Sequence, residues 1–600
     1  MKAIRQNAAR ERTAAERWAS PERLMAAPRL FYRSMLAFVR DLPGPAQRFW
    51  VLVILTGLAS GVGATLLLGL LNLVQQIAWP SGDTFLAAVK AAGPVRRVVV
   101  LASGGALVAL VSYLMREPLR GHGTAGVIEA IWVKAGEIPF LRTLVRGVLS
   151  IAAVAMGAPL GREGALLQTG AAGASLMGRQ LRISADQRRL LVACGAASGI
   201  AAAYNVPIGA ALFGLEVFLG SFALELFGPI VISCVVATAL SRILISDHPS
   251  YVIPDYRLLA PKEILLSVVF GPLFGVASAL FIRVINGFSV ALEGAPKRVA
   301  RFLPVLGMAA VGVAAIQLPE LLGNGYDPVN SALHNQLPLW MLLVLPFAKL
   351  LATSLCAGAG VPGGLFTPSL FYGGLFGGAL GALALYVWPG SAPSGAYALL
   401  GMAGVLAGTT HASISSVLII FELTSDYNVI LPLMLTSVLS TLVSRRLSPE
   451  SLYTSVLKRR SIALPESPKP QWLRTTTVKS LMVPDAVRVP PSARFDEIVV
   501  WLLELPAGSD LYVTTADGKL LGVIILEELK GHLPDHSLLG MTVAADVMDT
   551  GIRPAHPDLT LAELAARFAE TSLERLPVVD DQNNLLGTVS KGDVLRRGSF

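Results

Sequence analysis

Apolar and polar positions divide the chain into a polar start, a long apolar middle and a polar end, with charged residues rare between about Trp50 and Leu447. Within the middle, Trp50–Ala78, Val98–Leu114, Ile264–Val284 and Ile430–Val443 with its flanks read as continuous apolar helices. These are of the length needed to cross a hydrocarbon core of about 30 Å. Other apolar stretches are short and interrupted by Gly and Pro: Gly121–Ala130, Gly157–Gly178, Gly195–Phe218, Gly358–Gly381 and Gly401–Glu422. Irregular backbone at membrane depth is tolerated only where protein or a water-filled cavity surrounds it. Paired broken segments in the two halves of a chain point to a transport site.

The two halves do correspond. Cys194–Glu216 aligns without gaps on Leu400–Glu422, which sets Gly195 against Gly401, Asn205 against His411 and Glu216 against Glu422. Upstream, Gly161-Arg162-Glu163-Gly164-Ala165 answers Gly364-Leu365-Phe366-Thr367-Pro368, with Gly170 and Gly373 following at the same distance. We read a duplicated membrane domain, all-α and polytopic, made of two inverted halves with broken helices.

After Arg460 the pattern changes. Leu464–Pro470 is Pro-rich and reads as an extended linker. The remainder is soluble in character and also repeated, each copy running strand–helix–strand–strand–helix: Phe495–Leu505 and Leu561–Thr571 are the expected helices, and Leu511–Thr514, Gly522–Ile525, Arg575–Val579 and Gly587–Ser590 the expected strands. The expected organisation is a basic segment over 1–49, a membrane domain over 50–460, a linker over 461–475, and two small α/β domains over 476–535 and 543–600.

Composition sharpens this picture. Apolar residues make up 53% of the chain and charged residues 15%, against about a quarter charged in soluble domains. An integral membrane protein follows, and a soluble enzyme or nucleic-acid binder is excluded despite the net charge of +9. The basic residues flank the apolar region, with Arg5, Arg10, Arg12, Arg17, Arg23 and others before it and Arg445, Arg446, Lys458, Arg459 and Arg460 after it. Short basic flanks stay on the cytoplasmic side, so both termini are expected there, in a plasma (inner) membrane. No apolar run follows Met1, so no cleaved leader is expected. Cys194, Cys234 and Cys356 lack partner spacing, so neither a disulfide framework nor a metal site is expected.

Four elements could carry chemistry: Gly121-His122-Gly123, Gly161-Arg162-Glu163-Gly164, Gly363-Gly364-Leu365-Phe366-Thr367-Pro368, and Tyr453 within Leu452–Val456. The first three place Gly beside an expected helix start, where unpaired N–H groups and the positive dipole end attract anions. Glycine removes the side chains that would keep a small anion from those amides. Several such ends meeting at mid-membrane would bind an anion without a fixed buried cation, which would hold it too long for conduction.

In this order and spacing the four elements resemble the CLC chloride channels and chloride/proton exchangers, and the repeated tail resembles paired CBS domains. The resemblance implies a homodimer with one pathway for small inorganic anions in each subunit, with chloride as the substrate and the lipid bilayer as its setting. No nucleic-acid partner and no required cofactor are expected, and with no HExxH and no serine or cysteine constellation beside His122 and His411 no enzymatic activity is expected. It assigns Glu163 as the external gating glutamate, whose carboxylate competes with an anion and moves aside on protonation. It also assigns backbone N–H groups of Leu365 and Phe366 and the Tyr453 hydroxyl to the central anion. His122, Gly123, Arg162 and Gly164 are expected to bind the anion as well, Arg162 in either a packing or salt-bridge role or a direct ion contact.

Three departures from the family pattern matter. His122 replaces a serine that touches the central anion, and an imidazole can also donate but is larger and titrates near neutrality. Ala165 replaces a proline at the helix start. Val217 stands where the exchangers carry an inner proton-relay glutamate, and Glu216 is one residue, roughly 100°, away around a helix. A voltage- or pH-gated chloride channel is therefore favoured. A chloride/proton antiporter, or a relative selective for nitrate or fluoride, is the alternative. A cation-coupled solute transporter would need a large pocket with paired acids rather than small Gly-lined turns. The resemblance also implies a possible adenine nucleotide site at the CBS pair, held by Ser590 and Asp593, whereas Ile525 in the first copy lacks the matching hydroxyl.

Overall fold

The computed structural model describes residues 34, 39–42, 44–115, 123–245, 251–254, 256, 261–462, 476–504, 510–525, 542–569, 571 and 573–597. Gly121, His122, most of the basic segment 1–49 and most of the linker 461–475 lie outside the described residues. The chain divides into two compact units, Met1–Glu466 and Ser467–Phe600.

The first unit is helical, with helices suited to a membrane. Seven described helices are long and apolar enough to cross it, among them Ala46–Ala78, Pro94–Leu114, Glu263–Glu293 and Phe366–Val387, and three apolar helices are shorter. The centre of the unit is built from helices of small residues. Glu163–Gln180 packs on Ala185–Tyr204, and Phe366–Val387 packs on Ser394–Thr410. Every residue from Leu191 to Tyr204 is buried, as is every residue from Gly395 to Thr410. Such helices lack a polar face because protein surrounds them on all sides.

The internal repeat is visible in backbone detail. A Cβ on Gly195 would overlap the Gly170 carbonyl oxygen, and one on Gly401 would overlap that of Gly373. Only glycine lets these helix pairs approach so closely. Ala185–Tyr204 ends at Asn205 in the left-handed conformation (φ 61°), and Ser394–Thr410 ends at His411 in the same conformation (φ 59°). A left-handed residue closes a helix and lets the chain turn back, and here it starts Pro207–Phe213 in one half and Ser413–Thr424 in the other. Pro207–Phe213 continues through one π-helical segment, Gly214–Leu219.

Glu216 and Glu422, equivalent in the repeat, cap each other's neighbouring helix. Glu216 accepts from the Ser415 amide at 2.9 Å and the Ser415 hydroxyl at 2.5 Å. Glu422 accepts from the amides of Ile208 at 3.0 Å and Gly209 at 2.6 Å. Each carboxylate thus meets unpaired N–H groups and a positive dipole end.

The second unit is α/β. Strands β1 (Val487–Val489), β2 (Leu511–Thr514) and β3 (Leu520–Ile524) form one sheet in that order, β1 parallel and β3 antiparallel to β2. Strands β4 (Arg575–Val579) and β5 (Leu585–Ser590) form an antiparallel pair. The helices Phe495–Glu504 and Leu561–Ala569 precede the two hairpins. Lead segments are exchanged between the copies: Val483 pairs with Thr588 on β5, and Asp549 pairs with Val523 on β3. Each copy therefore completes the other's sheet.

Candidate functional site

The site forms where the Gly-rich turns of the two halves meet. Gly161 donates to the Gly364 carbonyl at 2.9 Å and Gly364 donates back to Gly161 at 2.8 Å, an isolated antiparallel bridge between the repeats. Two residues beyond each glycine a helix begins, at Glu163 and at Phe366. Gly164 lies against the opposite turn, so that a Cβ would come within 3.0 Å of Gly364 Cα. A Cβ on Gly123, the first residue of Gly123–Trp132, would come within 2.8 Å of the Gly164 carbonyl oxygen. Three helix starts thus converge on one small region.

The Glu163 side chain fills it. The residue is 1% exposed. Oε1 accepts from the Phe366 amide at 2.9 Å and the Thr367 amide at 3.2 Å. Oε2 accepts from the Thr367 hydroxyl at 2.7 Å and the Tyr204 hydroxyl at 3.4 Å, and the two hydroxyls are themselves 2.6 Å apart. A carboxylate held by unpaired helix-start amides stands where the same amides would hold a free anion.

The amides that reach the carboxylate are one residue further along than the expected pair, Leu365 and Phe366. Leu365 is the buried N-cap of the Phe366 helix. The Thr367 and Tyr204 hydroxyls were not singled out from the sequence. Thr367 was visible only as part of a motif, and Tyr204 reads as an ordinary core aromatic until the helices are brought together.

An aromatic chain starts at this point. Tyr204 and Phe366 have ring centroids 5.3 Å apart, Phe366 and Phe213 5.9 Å, and Phe213 and Tyr453 6.4 Å. Tyr453 is buried at the N-cap of Thr454–Arg459, and its hydroxyl interacts with the Thr124 side chain. His122, the expected replacement for the anion-contacting serine, lies outside the described residues. Arg162 Nη2 donates to the Ala203 carbonyl at 3.3 Å, and its guanidinium sits 5.1 Å from the Tyr326 ring centroid. Val217 is partly buried in the π-helical segment.

In the second unit, Ser590 Oγ accepts from the Gly592 amide at 3.1 Å, and Asp593 lies partly buried in the first turn of Lys591–Arg597. Ile525 follows β3.

Comparison with known proteins agrees with this architecture. The family model for the voltage gated chloride channel matches residues 104–445, and the CBS domain model matches 543–599. A ClcB-like chloride channel protein of Ralstonia nicotianae is 35% identical over 429 residues, covering 69% of this chain and 99% of the relative. The voltage-gated ClC-type chloride channel ClcB of Escherichia coli is 34% identical over 369 residues, covering 60% of this chain and 86% of the relative. Among solved structures, a slow cyanobacterial Cl-/H+ antiporter has a TM-score of 0.62 at 23% identity, covering 69% of this chain and 97% of the other. A eukaryotic CLC transporter has a TM-score of 0.59 at 20% identity, covering 93% and 98%. The chain belongs to the CLC family of anion-transporting membrane proteins, and it carries a C-terminal CBS domain.

Proposed function

We propose that the chain forms a homodimer in a plasma (inner) membrane, with both termini cytoplasmic, and that each subunit conducts chloride passively through a pathway gated by Glu163. The observation that carries this reading is the Glu163 carboxylate on the amides of Phe366 and Thr367, a position an anion would otherwise take. Protonation removes the charge that those amides favour, and chloride then competes successfully for them. An intramembrane carboxylate is costly to keep and functional by default. Because the charge lies within the membrane, its departure responds to voltage as well as to pH.

Passive conduction is favoured over proton exchange by Val217, which cannot relay a proton, and by the neighbouring Glu216, whose carboxylate is engaged in capping Ser413–Thr424. Arg162 acts by packing the gate rather than by holding the ion. Tyr453 and His122 act on the central anion and set the preference among chloride, nitrate and fluoride.

The gate is tested with Glu163→Gln and Glu163→Ala in liposomes. Anion flux persists in both and loses most of its pH dependence; a wild-type pH profile in both variants contradicts the reading. In the tail, Ser590 and Asp593 hold the ribose of one adenine nucleotide weakly. Calorimetry with ATP, ADP and AMP on the full-length protein tests this, and no heat at millimolar nucleotide leaves the tail as an assembly module.

A further inference from the structure

Two tyrosine hydroxyls near the gate have no part in the arrangement described so far. Tyr251 is fully buried at 0% exposure. Its ring meets that of Tyr326 edge-on, with centroids 5.0 Å apart. The hydroxyl oxygens of both are buried, and neither has a hydrogen-bond partner among the described residues. A buried hydroxyl left unpaired costs about 1–3 kcal/mol, so a pair of them beside a functional carboxylate calls for an explanation.

Their surroundings supply one. Tyr251 lies within electrostatic range of Glu163, Arg162 and Tyr326, and Tyr204 within range of Glu163, Tyr251 and Tyr326. Tyr326 is fixed in place by its turn. Gly325 has φ 84°, and a Cβ there would overlap the Phe371 ring, on the same helix as Phe366 and Thr367. Lys349 Nζ donates to the carbonyls of Leu321 and Gly323 at 2.7 Å each and pins the start of that turn. The Arg162 guanidinium, one residue before Glu163, sits over the Tyr326 ring at 5.1 Å from its centroid.

We infer that the hydroxyls of Tyr251 and Tyr326 are the positioning groups that receive the Glu163 carboxyl when it leaves the amides of Phe366 and Thr367. This rests on the reading of Glu163 as the gate. The two positions differ in the charge they suit. Backbone amides only donate, and at a helix start they favour a carboxylate or a chloride. A phenol both donates and accepts, so a pair of phenols can satisfy the O–H and the C=O of a neutral carboxylic acid together. Protonation therefore moves the preference from the amides to the phenols, and a side chain with two positions shifts only by that difference. The other titratable or charged groups beside Glu163 are Arg162, Tyr204 and Tyr453, and each already has a contact in the closed arrangement.

The test uses full-length protein in liposomes, with chloride flux followed as a function of external pH. Tyr251→Phe/Tyr326→Phe keeps both rings and removes both hydroxyls. It moves the half-activation of flux about one pH unit to the acid side, the effect of losing one or two neutral hydrogen bonds. Each single substitution gives part of that shift, which keeps the inference readable if the double variant fails to assemble. In a Glu163→Ala background the same substitutions leave flux unchanged. No acid shift in otherwise wild-type protein overturns the inference. So does an equal change in the Glu163→Ala background, because the hydroxyls would then act on the ion or the fold rather than through Glu163. A wild-type pH profile in Glu163→Ala alone overturns the underlying gate reading instead.

Discussion

Gly161 and Gly364 are joined by two backbone hydrogen bonds, 2.9 Å in one direction and 2.8 Å in the other. This bridge places the starts of two helices from opposite halves side by side, and it leaves room for one carboxylate. A Cβ on either glycine would overlap the Glu163 carboxylate. The place of this carboxylate therefore depends on the absence of two methyl groups as much as on the presence of Glu163.

Gly161→Ala is the cleaner of the two tests, because the nearest atoms to the added Cβ all belong to the mobile end of the Glu163 side chain. The substitution should expel the carboxylate without disturbing the backbone. Chloride efflux from liposomes at neutral pH should rise several-fold and approach that of Glu163→Gln. Efflux no higher than wild type, in a variant that is folded, would contradict the geometry.

Thr367→Val removes the hydroxyl at 2.7 Å from Glu163 Oε2 and keeps the amide at 3.2 Å from Oε1. A hydrogen bond to a charged group is worth about 1.5–3 kcal/mol, and this one favours the carboxylate in place. Its loss should shift half-activation of flux to higher pH by roughly one to two units. A shift to lower pH would mean that the hydroxyl favours the open form.

The duplication was legible in the sequence because its marks are local. Gly170 and Gly195 against Gly373 and Gly401 are places where no side chain fits, and Asn205 and His411 are both left-handed helix ends. Glu163 was legible because a carboxylate among glycines in an apolar run has few bland explanations. Tyr204, Tyr251, Tyr326 and the Thr367 hydroxyl were not. Each lies in a separate segment, and nothing in the spacing of one segment reports what another delivers to it. The shift from Leu365 to Thr367 among the amide partners has the same origin, since the rotation of a helix start about its axis is set by packing. In the tail, repeat rhythm revealed the two copies, but the exchange of Val483 and Asp549 between sheets could not be read from either copy alone.

Glu216→Gln and Glu422→Gln should behave alike, since each removes the charge from a helix cap made by two consecutive amides. Loss of about 1–2 kcal/mol of stability is expected for each, read as a lower midpoint in thermal unfolding in detergent. The pH profile of chloride flux should not move in either. A change in flux pH dependence confined to Glu216→Gln would make Glu216 a proton-handling group and contradict its role as a cap.

The tail has a titration of its own. Asp510 is 8% exposed, and burial lifts its carboxyl to about 6, with Glu574 adding to the rise and Arg575 opposing it. The folded state therefore holds a proton that the unfolded chain releases near pH 4. The resulting cost is absent below pH 4, grows between pH 4 and 6, and is complete above pH 6 at about 2–3 kcal/mol. Asp510→Asn should slow hydrogen exchange in β2 and β3 at pH 7 and have little effect at pH 4. Equal effects at both values would remove titration as the cause.

The central claim is that Glu163 gates a passive pathway and that no residue at Val217 couples chloride to protons. Reversal potential in liposomes containing the purified full-length protein, under a fixed chloride gradient with and without a proton gradient, tests it most directly. The account predicts that the potential follows the chloride gradient alone and does not move when the proton gradient is imposed. A reversal potential that shifts with the proton gradient would show stoichiometric coupling and contradict it.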